Sequence, residues 1–265
     1  IRIFADVDAK KVVIKNSKLY VNREEGFIGT SIKRDEFIEE CSDIDDIIAF
    51  TEDGKMMVTK VDSKKFISKS IIHVAVFKKK DKRTVYNMIY RDGKKGTSYI
   101  KRFSVTGVTR DKMYDLTNGS EGSKTLYFSA NPNGEAEVVS VVLRQTGSIK
   151  KLKWELDFAD LEVKGRGVKG NIVTKYNVNK VEFKEKGLST LKPRKIWFDD
   201  TIQRLNVDNR GELLGEFKSD DSLLIIQQNG ILKTIKPDLN MHFPEDMIVL
   251  EKWIEDKPLS AIYFE

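Results

Sequence analysis

The sequence predicts an all-β fold, a propeller-like radial array of about five or six four-stranded blades. Three observations carry that prediction. Short apolar runs alternate with turns that end in Gly. No stretch longer than about ten residues keeps a 3.6-residue apolar period. The turn glycines Gly54, Gly93 and Gly134 lie 39 and 41 residues apart, and Trp154 and Trp197 lie 43 apart. Those spacings sit close to the roughly 40–45 residues of a four-stranded blade.

In chain order, Asp35–Glu40 is the one stretch suited to a brief helix. Ile47–Phe50 then runs into Glu52-Asp53-Gly54 and on to Met56–Val58. Val85–Tyr90 runs through Arg91-Asp92-Gly93 to Tyr99-Ile100, and Leu126–Phe128 through Asn131–Gly134 to Val138-Val139. Leu223–Ile226 runs through Gln228-Asn229-Gly230 to Ile231-Leu232. Asp-Gly and Asn-Gly between apolar runs signal hairpins, because both central positions tolerate positive φ. Asp45-Asp46 precedes the run ending at Gly54 and Asp220-Asp221 the run ending at Gly230, as a repeated unit would. Trp154, Trp197 and Trp253 each stand three residues before an Asp. A large side chain packing at the same place in each blade accounts for that pattern. The chain has no Trp-Asp, Gly-His or Gly-Gly pair, which argues against WD-repeat and kelch propellers.

With 265 residues, 40% hydrophobic and 33% charged, the chain can bury a sizeable core, and we expect a single domain over 1–265. The longest clear apolar run, Ile71–Phe77, is broken by His73 and is far too short to span a membrane. One cysteine, Cys41, excludes an internal disulfide and a cysteine-rich zinc site, and fits a reducing, cytoplasmic setting. Strand-like sequence at both ends (Ile1–Phe4 and Ala261–Phe264) and a first residue other than Met lead us to expect a piece of a longer protein.

The net charge of +6 is unevenly spread. Residues 78–102 and 164–195 each carry ten Lys/Arg against two acids, while residues 35–53 hold nine acids and no Lys or Arg. A single charge run reads as a solvated face. Two basic segments in an otherwise acidic chain point to a surface for a polyanion.

Within the second segment, Lys164-Gly165-Arg166-Gly167-Val168-Lys169-Gly170 alternates glycine with fixed positive charge. Glycine permits positive φ and close approach of the backbone to a ligand, and Arg and Lys suit phosphate. The G-x-x-G spacing also occurs at Gly93/Gly96, which belongs to a hairpin turn, and at Gly26/Gly29 and Gly119/Gly122, where few basic residues flank it and a structural turn is the better reading. Gly119–Thr125 has the wrong spacing for a nucleotide-binding loop. His73 reads as a half-buried strand residue, and Cys41 has no basic neighbour to activate it. Asp43, Asp45 and Asp46 read as turn residues rather than cation ligands. Tyr86, Tyr90, Tyr99, Phe103, Tyr176 and Trp197 could stack on bases but fall mostly in apolar runs suited to a core. No catalytic motif, metal site or cofactor site is evident.

The repeated order of Asp, apolar run, turn Gly and a strand with basic ends resembles the C-terminal β-pinwheel domain of bacterial type IIA topoisomerase A subunits. Gyrases of that family carry a box, Q-R-R-G-G-K/R-G. Lys164–Gly170 aligns with it, keeping Arg166, Gly167, Lys169 and Gly170 and departing at Lys164, Gly165 and Val168. Asn22–Gly29 takes the first-blade place of such a box but keeps only its two glycines, with Glu24 and Glu25 where basic residues would stand. Lys18–Ser31 and Ser42–Ile48 look most similar to the topoisomerase IV branch. The resemblance implies a non-catalytic β-pinwheel that binds and bends double-stranded DNA through phosphates on its rim. It also implies partners in the remainder of the A subunit, together with the ATPase B subunit, and a nucleoid-associated location in the cytoplasm. The degraded first box implies a decatenating or relaxing parent rather than a supercoiling one.

The residues expected at DNA are Lys164, Arg166 and Lys169 in the box, Lys175, Lys192, Arg194 and Lys195 extending it, and Lys101, Arg102 and Arg110 on another blade. Their role would be charge neutralisation with release of counterions. The alternative from another class is a protein-interaction propeller whose basic segments bind an acidic partner. A propeller enzyme would need carboxylates converging near the blade axis.

Overall fold

The computed structural model describes residues 16–32, 36–147, 149–239 and 241–260. The chain divides into two compact units, Ile1–Gly187 and Leu188–Glu265, where the sequence predicts one domain.

The first unit carries β1 (Ser17–Asn22), β2 (Phe27–Gly29), β3 (Glu36–Cys41), β4 (Asp46–Thr51), β5 (Lys55–Lys60), β6 (Lys65–Phe66), β7 (Ile71–Phe77) and β8 (Val85–Arg91). It continues with β9 (Ser98–Ser104), β10 (Met113–Asp115), β11 (Lys124–Asn131), β12 (Glu135–Leu143), β13 (Lys153–Asp157), β14 (Lys164–Gly165) and β15 (Asn171–Thr174). β16 (Val178–Ser189) closes it and passes into the second unit. There follow β17 (Arg194–Asp199), β18 (Arg204–Asn206), β19 (Glu212–Phe217), β20 (Leu223–Gln227), β21 (Leu232–Ile235) and β22 (Met247–Lys252). Among the described residues the predicted all-β character holds, with a short 3-10 turn at Phe158–Asp160.

Six small sheets form among the described residues. In order they are β3-β1-β2-β6, then β10-β5-β4-β7, then β11-β8-β9 with β14 and β15 both on β9, then β13-β12-β16, β18-β17-β19 and β21-β20-β22. The first three share one plan. Two consecutive strands make a hairpin, a later strand returns beside the first of them, and an outer strand joins the second. That outer strand comes from beyond the next sheet's hairpin. Thus β6 lies between β5 and β7 in sequence yet pairs with β2 (Phe27 opposite Phe66). Likewise β10 follows the β8–β9 hairpin yet pairs with β5 (Met113 opposite Met57). In the second unit His242, beyond β21, forms a single bridge with Arg204 of β18, the corresponding place.

The core lies between consecutive sheets, fed by the period-2 alternation of strands. On β4, Ile47 and Ala49 pack with Leu19, Val21 and Ile28 of the first sheet. Ile48 and Phe50 face the other way, onto Tyr86, Met88 and Tyr90 of the third. On β8 the alternate residue Ile89 joins Val139, Val141 and Phe158. Strands buried on both faces read as continuous apolar runs, which is why β4 and β8 stand out in the sequence. In the second unit Ile196, Leu205 and Phe217 pack with Leu223, Ile225 and Phe243.

Three expectations change. Glu36–Cys41 is strand, not helix, pairing with β1, so tertiary pairing overrides a weak local preference; Asp35 lies outside the described residues. The hairpins turning at Gly54, Gly93 and Gly230 form as predicted. The turn at Asn131–Gly134 instead links β11 of the third sheet to β12 of the fourth, because the same local turn chemistry serves both connections. The tryptophans are not equivalent, since Trp154 lies on β13, Trp197 on β17 and Trp253 just beyond β22. The strand-like ends, Ile1–Phe4 and Ala261–Phe264, fall outside the described residues.

Candidate nucleic-acid interface

The glycine-and-charge stretch is built on the outer edge of β9. Lys164 and Gly165 run parallel to it, opposite Phe103 and Ser104. The chain then reverses, and Asn171 and Ile172 run antiparallel, opposite Ile100 and Tyr99. Residues 166–170 are thus a loop pinned at both ends to one strand.

Its carbonyls turn inward. The Lys101 ammonium donates to the carbonyl oxygens of Arg166 (3.0 Å) and Val168 (3.1 Å), and the Tyr90 hydroxyl donates to that of Lys169 (2.7 Å). Gly170 sits at φ +93°, and a Cβ there would lie 2.4 Å from the Ile100 carbonyl oxygen, so glycine is required by the fold. Gly165 and Gly167 have no left-handed φ, and a Cβ on either would meet nothing within 4 Å. The local structure makes no demand for glycine at those two positions, which leave open space over the backbone.

The loop's cations face out. Lys164 and Lys169 are exposed and Arg166 is half-buried. The Arg166 guanidinium lies 4.4 Å from the centre of the Tyr114 ring and donates to the Gly107 carbonyl oxygen at 2.8 Å. The Lys169 ammonium lies 4.9 Å from the Tyr99 ring centre. Such contacts hold a cation over an aromatic face without neutralising it. Lys164 stands 3.7 Å from Glu162. A cleft of about 440 Å³ opens beside the loop, lined by Lys164 and Lys169 together with Asp160 and Glu162.

Two expected rim contacts are internal. Lys101 and Arg102 are 2% and 1% exposed. Lys101 reaches the Leu116 carbonyl oxygen (2.5 Å) besides the two loop carbonyls, and burial pushes its pKa down to about 8. Arg102 donates to Asn87 Oδ1 (3.2 Å) and the Gly134 carbonyl oxygen (2.6 Å). Asn87 in turn donates to Glu137 (3.1 Å), which also accepts from Tyr127 and Ser129. This buried polar network occupies Arg102, so neither side chain is available to an external phosphate. Arg110 is exposed but clamps Asp46 with two bonds, 2.7 and 3.1 Å.

Lys175 is exposed, one residue after β15. Lys192, Arg194 and Lys195 belong to the second unit, where Lys192 and Lys195 are exposed and Arg194 partly so. Sequence reasoning missed Lys112, whose ammonium lies 5.4 Å from the centre of the same Tyr114 ring that Arg166 covers. It missed Tyr114 as well; only the β10–β5 pairing brings it to the site.

Of the aromatic candidates, Tyr86, Tyr90, Tyr99 and Phe103 are core, while Tyr176 is exposed. Asp45 accepts from the Ser42 backbone N–H (2.8 Å), as Asp221 does from that of Lys218 (2.7 Å), so these acids cap matching turns. Among the described residues no group of three His, Cys, Asp or Glu could hold a metal ion. Arg23, in the degraded first box, is taken up by Glu36 (2.7 and 3.0 Å).

The chain matches the family described as "Topoisomerase C-terminal domain, Bacteroidota" over residues 18–186 and 204–265. It is 29% identical over 185 residues to the A subunit of DNA topoisomerase 4 from Borreliella burgdorferi, a match covering 69% of this chain and 28% of that protein. Among solved structures it is similar to a C-terminal domain of DNA topoisomerase IV (TM-score 0.46, 12% identity, 91% of this chain and 94% of that one). It also matches a DNA gyrase A C-terminal domain (TM-score 0.30, 10% identity, 90% and 99%).

Proposed function

Because the chain belongs to the family of bacterial topoisomerase C-terminal domains, we propose that it is the non-catalytic, duplex-DNA-binding and DNA-bending part of a topoisomerase IV-like A subunit. It presents DNA to the strand-passage core and works with the rest of the A subunit, together with the ATPase B subunit, in the cytoplasm at the nucleoid. It needs no cofactor of its own.

One observation carries this reading. The 164–170 loop turns its carbonyls inward and its cations outward, and leaves open space over two glycines that the fold itself does not require. Phosphate oxygens can therefore approach the backbone between Lys164, Arg166 and Lys169 without meeting the carbonyl oxygens of Arg166, Val168 and Lys169. Lys112 and Lys175 widen the contact in the first unit; Lys192, Arg194 and Lys195 supply cations in the second. Bending a 20–30 base-pair length costs on the order of 1–6 kcal/mol, so several separated contacts are needed to offset it.

The test is duplex binding across a salt series. Replacing both Arg166 and Lys169 with Ala should weaken binding about equally for unrelated sequences and flatten the slope of log K against log salt by about two. An unchanged slope would remove the loop from the contact surface. Binding of an acidic protein in place of DNA would favour the interaction-propeller reading.

A further inference from the structure

We infer that Lys101 is a positioning residue for DNA binding: its buried ammonium draws the 164–170 loop onto β9 and thereby sets Arg166 and Lys169 outward. This deepens the DNA-binding reading above and rests on it for its functional consequence.

A lysine 2% exposed on a strand otherwise packed with Tyr99, Ile100 and Phe103 calls for a reason. Desolvating an ammonium is costly unless every donor is met. Here three N–H donors find three backbone carbonyls, those of Leu116, Arg166 and Val168, at 2.5, 3.0 and 3.1 Å. The charge also lies 4.8 Å from the Phe103 ring centre. A Leu or Met would fill the space but could not hold those oxygens.

The consequence is directional. Two of the three carbonyls belong to the loop, and they alternate with glycines at 165 and 167. Drawing them inward holds the loop backbone against β9, and with it the points from which Arg166 and Lys169 project. The third carbonyl, of Leu116, follows β10, a strand of the neighbouring sheet. One side chain therefore ties the loop to the segment carrying Tyr114, the ring on which Arg166 rests at 4.4 Å. The loop is ordered before DNA arrives, so binding does not have to supply that ordering.

The experiment compares the wild-type chain with Lys101→Met, using Lys101→Gln as a milder second variant should Met fail to fold. Two readouts are taken. Amide hydrogen exchange should accelerate across residues 164–170 and remain unchanged in the second unit. Affinity for a 30-base-pair duplex should fall by about tenfold, and that loss should vanish in an Arg166→Ala/Lys169→Ala background, as coupled residues require. Unchanged exchange at 164–170 would overturn the inference whatever the DNA result. An equal additional loss of affinity in the doubly substituted background would overturn it too, since Lys101 would then act elsewhere. A wild-type chain that binds no duplex would sink the functional reading, while the exchange data would still judge the loop-holding role.

Discussion

The hydroxyl of Tyr90 donates to the carbonyl oxygen of Lys169 across 2.7 Å, joining a core strand to the outermost loop of its own sheet. Burial of Tyr90 raises the pKa of that phenol, so it remains a donor at neutral pH. Tyr90→Phe keeps the packing against Tyr99 and removes this bond together with the hydroxyl's contact with Asn118. The expected cost is about 0.5–1.5 kcal/mol in urea unfolding. Faster amide exchange confined to the loop should accompany it.

The two kinds of glycine in the loop should separate under substitution. Gly170→Ala sets a Cβ against the Ile100 carbonyl at a left-handed φ, and we expect a loss of at least about 1–3 kcal/mol in denaturant titration. Gly167→Ala should leave stability within about 0.5 kcal/mol. It should nonetheless lower duplex affinity, because the methyl group enters the space left for phosphate. Full affinity in Gly167→Ala would show that DNA does not approach this stretch of backbone.

Arg102→Met distinguishes a core cation from a rim cation. It strips the positive charge from beside the buried Glu137 network, and we expect a loss of about 3–5 kcal/mol. At low temperature, where the variant stays folded, its DNA salt slope should match that of the wild type. A reduced slope would return Arg102 to the interface.

His73 gives the fold an acid-sensitive element. It packs against Phe50, Tyr86 and Phe128, with Nε2 buried and unpaired. Burial, aided by the charge of Arg23, pushes its pKa down to about 4. As pH falls below about 6.5 the unfolded chain takes up the proton first, so stability is whole above that value and declines towards pH 4. The contribution is on the order of 3 kcal/mol over that window. Urea unfolding at pH 7 and pH 4.5 should show a smaller difference in His73→Leu than in the wild type. Equal differences would place the acid response elsewhere.

Local chemistry made much of the fold legible. Asp53-Gly54, Asp92-Gly93 and Asn229-Gly230 set their own hairpins, and the doubly buried β4 and β8 announce themselves as apolar runs. The pairing of β6 with β2, of β10 with β5, and of the 164–170 flanks with β9 was not legible, because those partners lie far apart in sequence and no local signal names them. For the same reason Gly134 read as a hairpin turn. Lys164, Arg166 and Lys169 could be read from spacing and charge. Lys101 and Arg102 were misread as surface, since a sequence shows a charge but not the carbonyls of Leu116 and Val168, or the Asn87–Glu137 network, that take it in.

The borrowed outer strands bear on how such a chain can grow or be cut. A sheet and the stretch of sequence that repeats are out of phase: the first sheet ends with β6, inside the span that also encodes the second. Removing β4 to β7 as a block would take the second sheet's core and the first sheet's edge together, and leave β10, parted from β5, in the chain position from which β6 reached β2. Inserting a copy at a sheet boundary would separate a hairpin from the strand that finishes it. The unit that can be duplicated or lost without leaving a raw edge therefore begins at a hairpin and includes its predecessor's last strand. Chain ends chosen by eye at the limits of a sheet would miss it.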